Sequence, residues 1–154
     1  SAPEAVSSRP KIGEPAPDVE LVPMKGERFT LSSLQGKLVL LDFWATWCAP
    51  CVAELPLIAK LHKKHGHRDD FVIVSVSLDW DEKLLRKFID ERKMTWPQVF
   101  GETPAGQTII QRYGVSAIPA VFLIGPDGRL AASDLMGATL EQTVEAALKG
   151  EVGK

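Results

Sequence analysis

The sequence predicts an α/β fold, a mixed β-sheet flanked by helices with a β-hairpin extension at its N-terminal end. Three observations carry this. Leu38 to Trp44 and Phe71 to Ser77 are apolar runs of strand length, the second rich in β-branched residues. Residues 51 to 65 between them repeat apolar side chains at helical spacing. Ala120 to Ile124 and Arg129 to Ser133 flank Gly125-Pro126-Asp127-Gly128, whose turn chemistry predicts an antiparallel hairpin. With 154 residues, 45% hydrophobic and 25% charged, the chain fits one packed domain.

Taken in order, residues 1 to 10 are small and polar without periodicity, and read as a flexible tail or linker stub before a domain over 11 to 150. Residues 151 to 154 read as a C-terminal tail. Val19 to Leu21 and Arg28 to Thr30 flank a turn at Met24-Lys25-Gly26-Glu27, predicting a short hairpin. The helix over 51 to 65 presents Val52, Leu55, Ile58 and Ala59 on one face and ends at Gly66. Strand, helix, strand makes a βαβ unit with two parallel strands and a right-handed crossover. A second helix from Asp81 to Arg92 turns Leu84, Leu85, Phe88 and Ile89 inward and pairs Glu82 with Arg86 on its wet side. A short helix spans Gln107 to Tyr113 and stops at Gly114. A last helix is expected to be capped by Thr139 with Gln142 and to bury Leu140, Val144, Ala147 and Leu148.

The 18 Lys and Arg against 20 Asp and Glu leave no basic footprint for nucleic acid or an anionic membrane surface. No apolar stretch approaches the roughly 20 residues of a membrane span. Only two cysteines occur, Cys48 and Cys51, too few for a disulfide scaffold or a four-ligand structural zinc site. A redox pair, a partial metal site and coincidence remain. Cys48-Ala49-Pro50-Cys51 lies between strand and helix of the βαβ unit, and two cysteines three apart in a first helical turn can be bridged without moving the backbone. The first stands where free N–H groups and the helix dipole stabilise a thiolate, which lowers its pKa and makes it nucleophilic. The second, one turn inside, can resolve a mixed disulfide. Pro50 suits a first turn because its missing N–H has no partner there. The redox reading is preferred.

Asp42-Phe43-Trp44-Ala45-Thr46-Trp47-Cys48-Ala49-Pro50-Cys51 resembles the active-site segment of thioredoxins, and Tyr113-Gly114-Val115-Ser116-Ala117-Ile118-Pro119 resembles the stretch carrying that family's cis-proline. Gly13-Glu14-Pro15-Ala16-Pro17-Asp18 and Cys51-Val52-Ala53-Glu54-Leu55-Pro56 are closer to the TlpA/ResA-like branch of thiol-disulfide oxidoreductases. At Asp42 the chain follows thioredoxins instead, because the ResA-like branch carries a neutral residue there. The resemblance covers roughly residues 11 to 150. It implies a thioredoxin fold and a redox-active Cys48–Cys51 disulfide with no cofactor. It also implies exchange with disulfide- or dithiol-bearing proteins and an upstream electron donor, outside the cytoplasm, often from an N-terminal membrane anchor. Reduction of apocytochrome c or of metal-centre assembly factors is the implied role.

Individual residues follow. Cys48 is expected to be the nucleophile and Cys51 the resolving thiol. Asp42 is an acid within an apolar strand, an expensive placement for a purely structural carboxylate, and shares its alternation parity with Leu38, Leu40 and Trp44. Glu54 lies three residues after Cys51 on the same side of the helix. Both are assigned to proton management for Cys51. Trp47 and Pro50, with Ile118 and a cis Pro119 lying against the disulfide, are assigned to substrate docking. Trp44 reads equally as core. His62, His65 and His67 read as a solvated helix end, with no ligand set to complete a metal site. A copper-delivery module using the two thiolates is the rival from another class. A peroxiredoxin-type peroxidase is disfavoured because the Pro and Thr of its Pro-x-x-x-Thr-x-x-Cys pattern are replaced by Leu41 and Ala45.

Overall fold

Leu38–Trp44 forms a strand, β3, in which every residue is buried. Such a strand must be covered on both faces, which is why it reads as a continuous apolar run. It lies at the centre of a five-stranded sheet in the computed structural model, which describes residues 9–150. Before it, β1 (Glu20–Leu21) and β2 (Phe29–Thr30) pair antiparallel as a small hairpin, followed by a 3-10 turn over Leu31–Leu34. After it come α1 (Ala49–His65), β4 (Phe71–Ser77), α2 (Glu82–Glu91), β5 (Gln98–Phe100), α3 (Pro104–Arg112), β6 (Ala120–Ile124), β7 (Leu130–Ser133) and α4 (Gly137–Leu148).

The strand order is β5-β4-β3-β6-β7. β3, β4 and β5 run parallel, and β6 and β7 antiparallel to their neighbours. The βαβ unit and the second hairpin therefore stand as expected, in a mixed sheet. One sheet face, with Leu38, Leu40 and Trp44, packs against α1, α2 and α4 through Leu55, Leu85 and Leu140. The other, with Val39, Leu41 and Phe43, packs against α3, the N-terminal hairpin and the 3-10 turn through Ile109, Leu21 and Leu31. The chain before β3 crosses the molecule from edge to edge. Gly13 N–H donates to Leu130 O and Leu130 N–H to Glu14 O beside β7, while Met24 N–H donates to Gln98 O on β5. Both open edges of the sheet are thereby occupied.

β5 is not among the sequence expectations, and four of those need correction. β5 has no strand-length pattern of its own and exists through pairing with β4, Ser75 to Gln98 through Ser77 to Phe100. α3 starts at Pro104, with the Thr103 side chain accepting from Gly106 N–H, rather than at Gln107. α4 begins at Gly137, so Thr139 lies inside it, and its N-cap Met136 offers no side-chain acceptor. Leu84 is half-exposed rather than inward, and Ala59 is exposed, the inward face of α1 being Cys51, Leu55, Ile58 and Leu61. The expected tails at residues 1 to 8 and 151 to 154 lie outside the described residues. Arg9 is held by both oxygens of Asp134, with its guanidinium 5.0 Å from the Phe122 ring centre.

Candidate active site

The C-terminal ends of parallel strands collect chemistry in open α/β sheets because loops there diverge over the sheet edge. At the end of β3, Ala45 to Trp47 lead into Cys48, the N-cap of α1. Its Sγ accepts from the Cys51 N–H at 3.3 Å, in the position of a capping side chain. Cys48 and Cys51 are joined by a disulfide, with Cα atoms 5.2 Å apart, and both are buried. Pro50 sits in the first turn, where its lack of an N–H leaves nothing unpaired.

The loop is held by a residue the sequence reading missed. The buried Asp79 carboxylate accepts from the Thr46 N–H at 3.0 Å, from the Thr46 hydroxyl, and from Ser77 Oγ at 2.6 Å. Leu78 N–H also donates to Trp44 O. The only advance signal was an acid just past the end of the neighbouring parallel strand. Trp47 is 54% exposed and stacks on Trp80, with ring centres 5.6 Å apart and planes at 11°. Trp44, by contrast, is fully buried and tilted against Phe88, so it belongs to the core.

Asp42 lies on the α1 side of the sheet, between Leu40 and Trp44, in the face whose cluster includes Cys51. It is 3% exposed, and its register partners are Ser75 on β4 and Val121 on β6. Ser75 Oγ donates to Asp42 Oδ2 at 3.4 Å and accepts from Trp96 Nε1–H at 2.8 Å. Burial pushes the Asp42 carboxyl up to about 7; the Ser75 hydrogen bond opposes this and the Glu54 charge adds to it. Glu54 is half-buried, and both its oxygens accept from Gly137 N–H, at 3.0 and 3.2 Å, at the start of α4. The two carboxylates thus feel each other, but Glu54 is also engaged in a structural contact.

The Ile118–Pro119 peptide is cis. Pro119 precedes Ala120, whose register partner is Phe43, so the half-buried Ile118 and Pro119 reach the same end of β3 as the cysteines. A cleft of about 540 Å³, lined by Met24, Trp96 and Gln98 among others, contains neither cysteine. Among the described residues, no group of three or more His, Cys, Asp or Glu side chains is disposed to hold a metal ion. The histidines are not a uniformly wet helix end. His65 is buried with Nε2 2.8 Å from Glu145, and His62 lies 3.2 Å from Thr95 Oγ1, while His67 is exposed.

A profile of the AhpC/TSA family matches residues 12–133. The thiol-disulfide oxidoreductase ResA of Bacillus thuringiensis strain Al Hakam is 31% identical over 139 residues, covering 90% of this chain and 78% of its own. Among solved structures, a putative thiol:disulfide interchange protein DsbE from Chlorobium tepidum superposes with a TM-score of 0.77 at 33% identity, covering 90% of this chain and 99% of that one. The thioredoxin domain of a thiol-disulfide oxidoreductase from Bacteroides vulgatus gives 0.78 at 32% identity, covering 88% and 96%. The disulfide at the end of the central strand thus sits in a scaffold shared along almost its whole length with proteins of one activity, and the chain belongs to the AhpC/TSA family as a thiol-disulfide oxidoreductase of the ResA and DsbE type.

Proposed function

We propose that the protein reduces disulfides in partner proteins outside the cytoplasm, in the manner of cytochrome c maturation or metal-centre assembly, with Cys48 attacking and Cys51 resolving. The observation that carries the reading is Cys48 Sγ at the α1 N-cap, accepting the Cys51 N–H, on the same side of the sheet as the buried Asp42 carboxyl, which burial pushes up to about 7. In the reduced protein the Cys48 thiolate, favoured by the free N–H groups and the dipole, attacks one sulfur of the partner disulfide. The partner's other sulfur leaves as a thiolate and takes a proton from water. Cys51 then gives its proton to Asp42 and attacks Cys48 Sγ, and the second partner sulfur departs as a thiolate that takes this proton back from Asp42. The partner gains two electrons and two protons, and the protein ends as its disulfide. An upstream dithiol protein returns it to the reduced form by the reverse steps.

Asp42 fits the proton's destination because a carboxyl titrating near the working pH both accepts and returns a proton readily. Glu54 contributes by holding that value up through its charge. Trp47, Pro50, Ile118 and Pro119 frame the approach to Cys48, and backbone near Pro119 offers an extended partner segment main-chain hydrogen bonds. The location and the type of partner rest on the resemblance to TlpA/ResA-like proteins.

The test is trapping. Cys51→Ser is expected to accumulate mixed disulfides with extracytoplasmic proteins through Cys48, while Cys48→Ser accumulates none. Limiting iodoacetamide on reduced wild type should label Cys48 first. Asp42→Asn should slow disulfide reduction at least tenfold near pH 7 and flatten the pH–rate profile there. Preferential labelling of Cys51, or an unchanged profile in Asp42→Asn, refutes the assignment concerned.

A further inference from the structure

Trp80 carries a large apolar side chain into solvent at 73% exposure. It is the residue before Asp81, the N-cap of α2, whose side chain accepts from Leu84 N–H. An apolar residue at that position commonly packs back onto the fourth helical residue, here the fully buried Leu85. Trp80 instead lies flat against Trp47, with ring centres 5.6 Å apart. Helix packing therefore does not account for its placement.

What does account for it is the Asp79 clamp. Asp79 is bonded to Thr46 and immediately precedes Trp80, while Thr46 immediately precedes Trp47. Each indole is thus one residue from one member of the Thr46–Asp79 hydrogen-bonded pair that locks two loops together, so the two rings are positioned by the core and not by chance contact at the surface. Both loops leave the C-terminal ends of neighbouring parallel strands, β3 and β4, and Trp47 is adjacent in the chain to Cys48. Any partner sulfur that reaches Cys48 brings its flanking residues past these rings.

We propose that Trp47 and Trp80 form a two-ring recognition face for an aromatic side chain flanking the partner's cysteine, with Trp80 as the specificity-determining residue. The proposal rests on the reading of protein disulfides as substrates and names which of them are favoured. Aromatic pairing adds to the area removed from water, and the two contributions are large enough to discriminate partners. An arginine is the competing occupant, since indoles also attract cations. Of the nearby acids, Asp79 is bonded to Thr46 and Ser77, Asp81 accepts from the Leu84 N–H through one oxygen, and Glu82 pairs with Arg86 at 3.2 Å. A guanidinium would also meet the exposed Asp81 carboxylate; the apolar ring surface continuous with Cys48 favours the neutral occupant, and arginine is the outcome the test must separate.

The experiment measures kcat/KM of the reduced full chain toward three symmetrical peptide disulfides of Gly-Xaa-Cys-Gly with Xaa Phe, Arg or Ser. Wild type is expected to prefer the Phe peptide over the Ser peptide about tenfold, mainly through KM. Trp80→Ala should lower kcat/KM for the Phe peptide about tenfold but for the Ser peptide less than twofold, and Trp80→Phe should restore most of the preference. Equal losses on both peptides, a retained preference in Trp80→Ala, or a wild-type preference for Arg over Phe would overturn it. Failure of wild type to reduce any of the three peptides would instead refute the underlying reading of the substrate.

Discussion

Asp42 has an acid's identity in an apolar strand, and its surroundings decide what that costs. The side chain is 3% exposed and has one hydroxyl donor, Ser75. Burial is the dominant influence and pushes its carboxyl up to about 7, well above the ordinary carboxylate range. Between about pH 4 and pH 7 the unfolded chain has released this proton while the folded protein keeps it. Stability therefore falls as pH rises through that window, and this contribution is constant above it. The shift corresponds to a penalty of order 4 kcal/mol at alkaline pH. Asp42→Asn should therefore stabilise the oxidised protein relative to wild type more at pH 8.5 than at pH 4, as measured by denaturant midpoints at each pH. An equal effect at both would mean that Asp42 does not titrate in this range. The measurement is independent of activity, so it tests the burial argument separately from the catalytic one.

Among the elements, the contact between α1 and α4 shows how two helices share one terminus. α4 starts at Gly137 after Met136, which has no oxygen to cap it, and Glu54 from α1 takes the Gly137 N–H with both carboxylate oxygens. A carboxylate there satisfies an orphan donor and sits at the positive end of the helix dipole. Glu54→Ala is expected to lower stability by about 1 kcal/mol, and Glu54→Gln to recover most of that because an amide oxygen still accepts. Its effect on exchange rate should show a different pattern, with Gln no better than Ala, since Glu54 raises the Asp42 carboxyl only through its charge. Thermal melts and pH–rate profiles on the two variants separate the roles. The local Thr139 and Gln142 pattern was misleading because α4 takes its cap from across the molecule, 83 residues away.

Across the whole molecule, the segment before β3 does more than add a hairpin. It joins the outer edges of both β7 and β5, and Val19, Leu21 and Leu31 help fill the second core face. Tyr113 hydroxyl donates to Pro17 O at 2.8 Å, and Arg112 to Asp18 O, fastening α3 to the same segment. Leu21 sits in a strand of only two residues yet is fully buried. Leu21→Ala should cost about 2–5 kcal/mol in urea unfolding, the range for a large-to-small change in a packed core. A loss below 1 kcal/mol would make the hairpin an appendage of an independently stable sheet.

By itself the sequence determined the βαβ unit, the second hairpin and the cysteine pair at a helix start, because strand runs, helical periodicity, turn residues and the Cys48–Cys51 spacing are local signals. Even the side of the sheet that Asp42 faces follows from alternation along one strand. The cis-proline was legible only through family resemblance. Tertiary structure decided everything that depends on register or on distant packing. β5 exists by pairing with β4, Ser75 and Asp79 meet β3 and its loop from 33 residues away, and Trp80 joins Trp47 through that same clamp. Hydrogen bonds and ring contacts between distant residues leave no periodic trace in the chain, since the partner of each group is set by how strands align and helices seat on them.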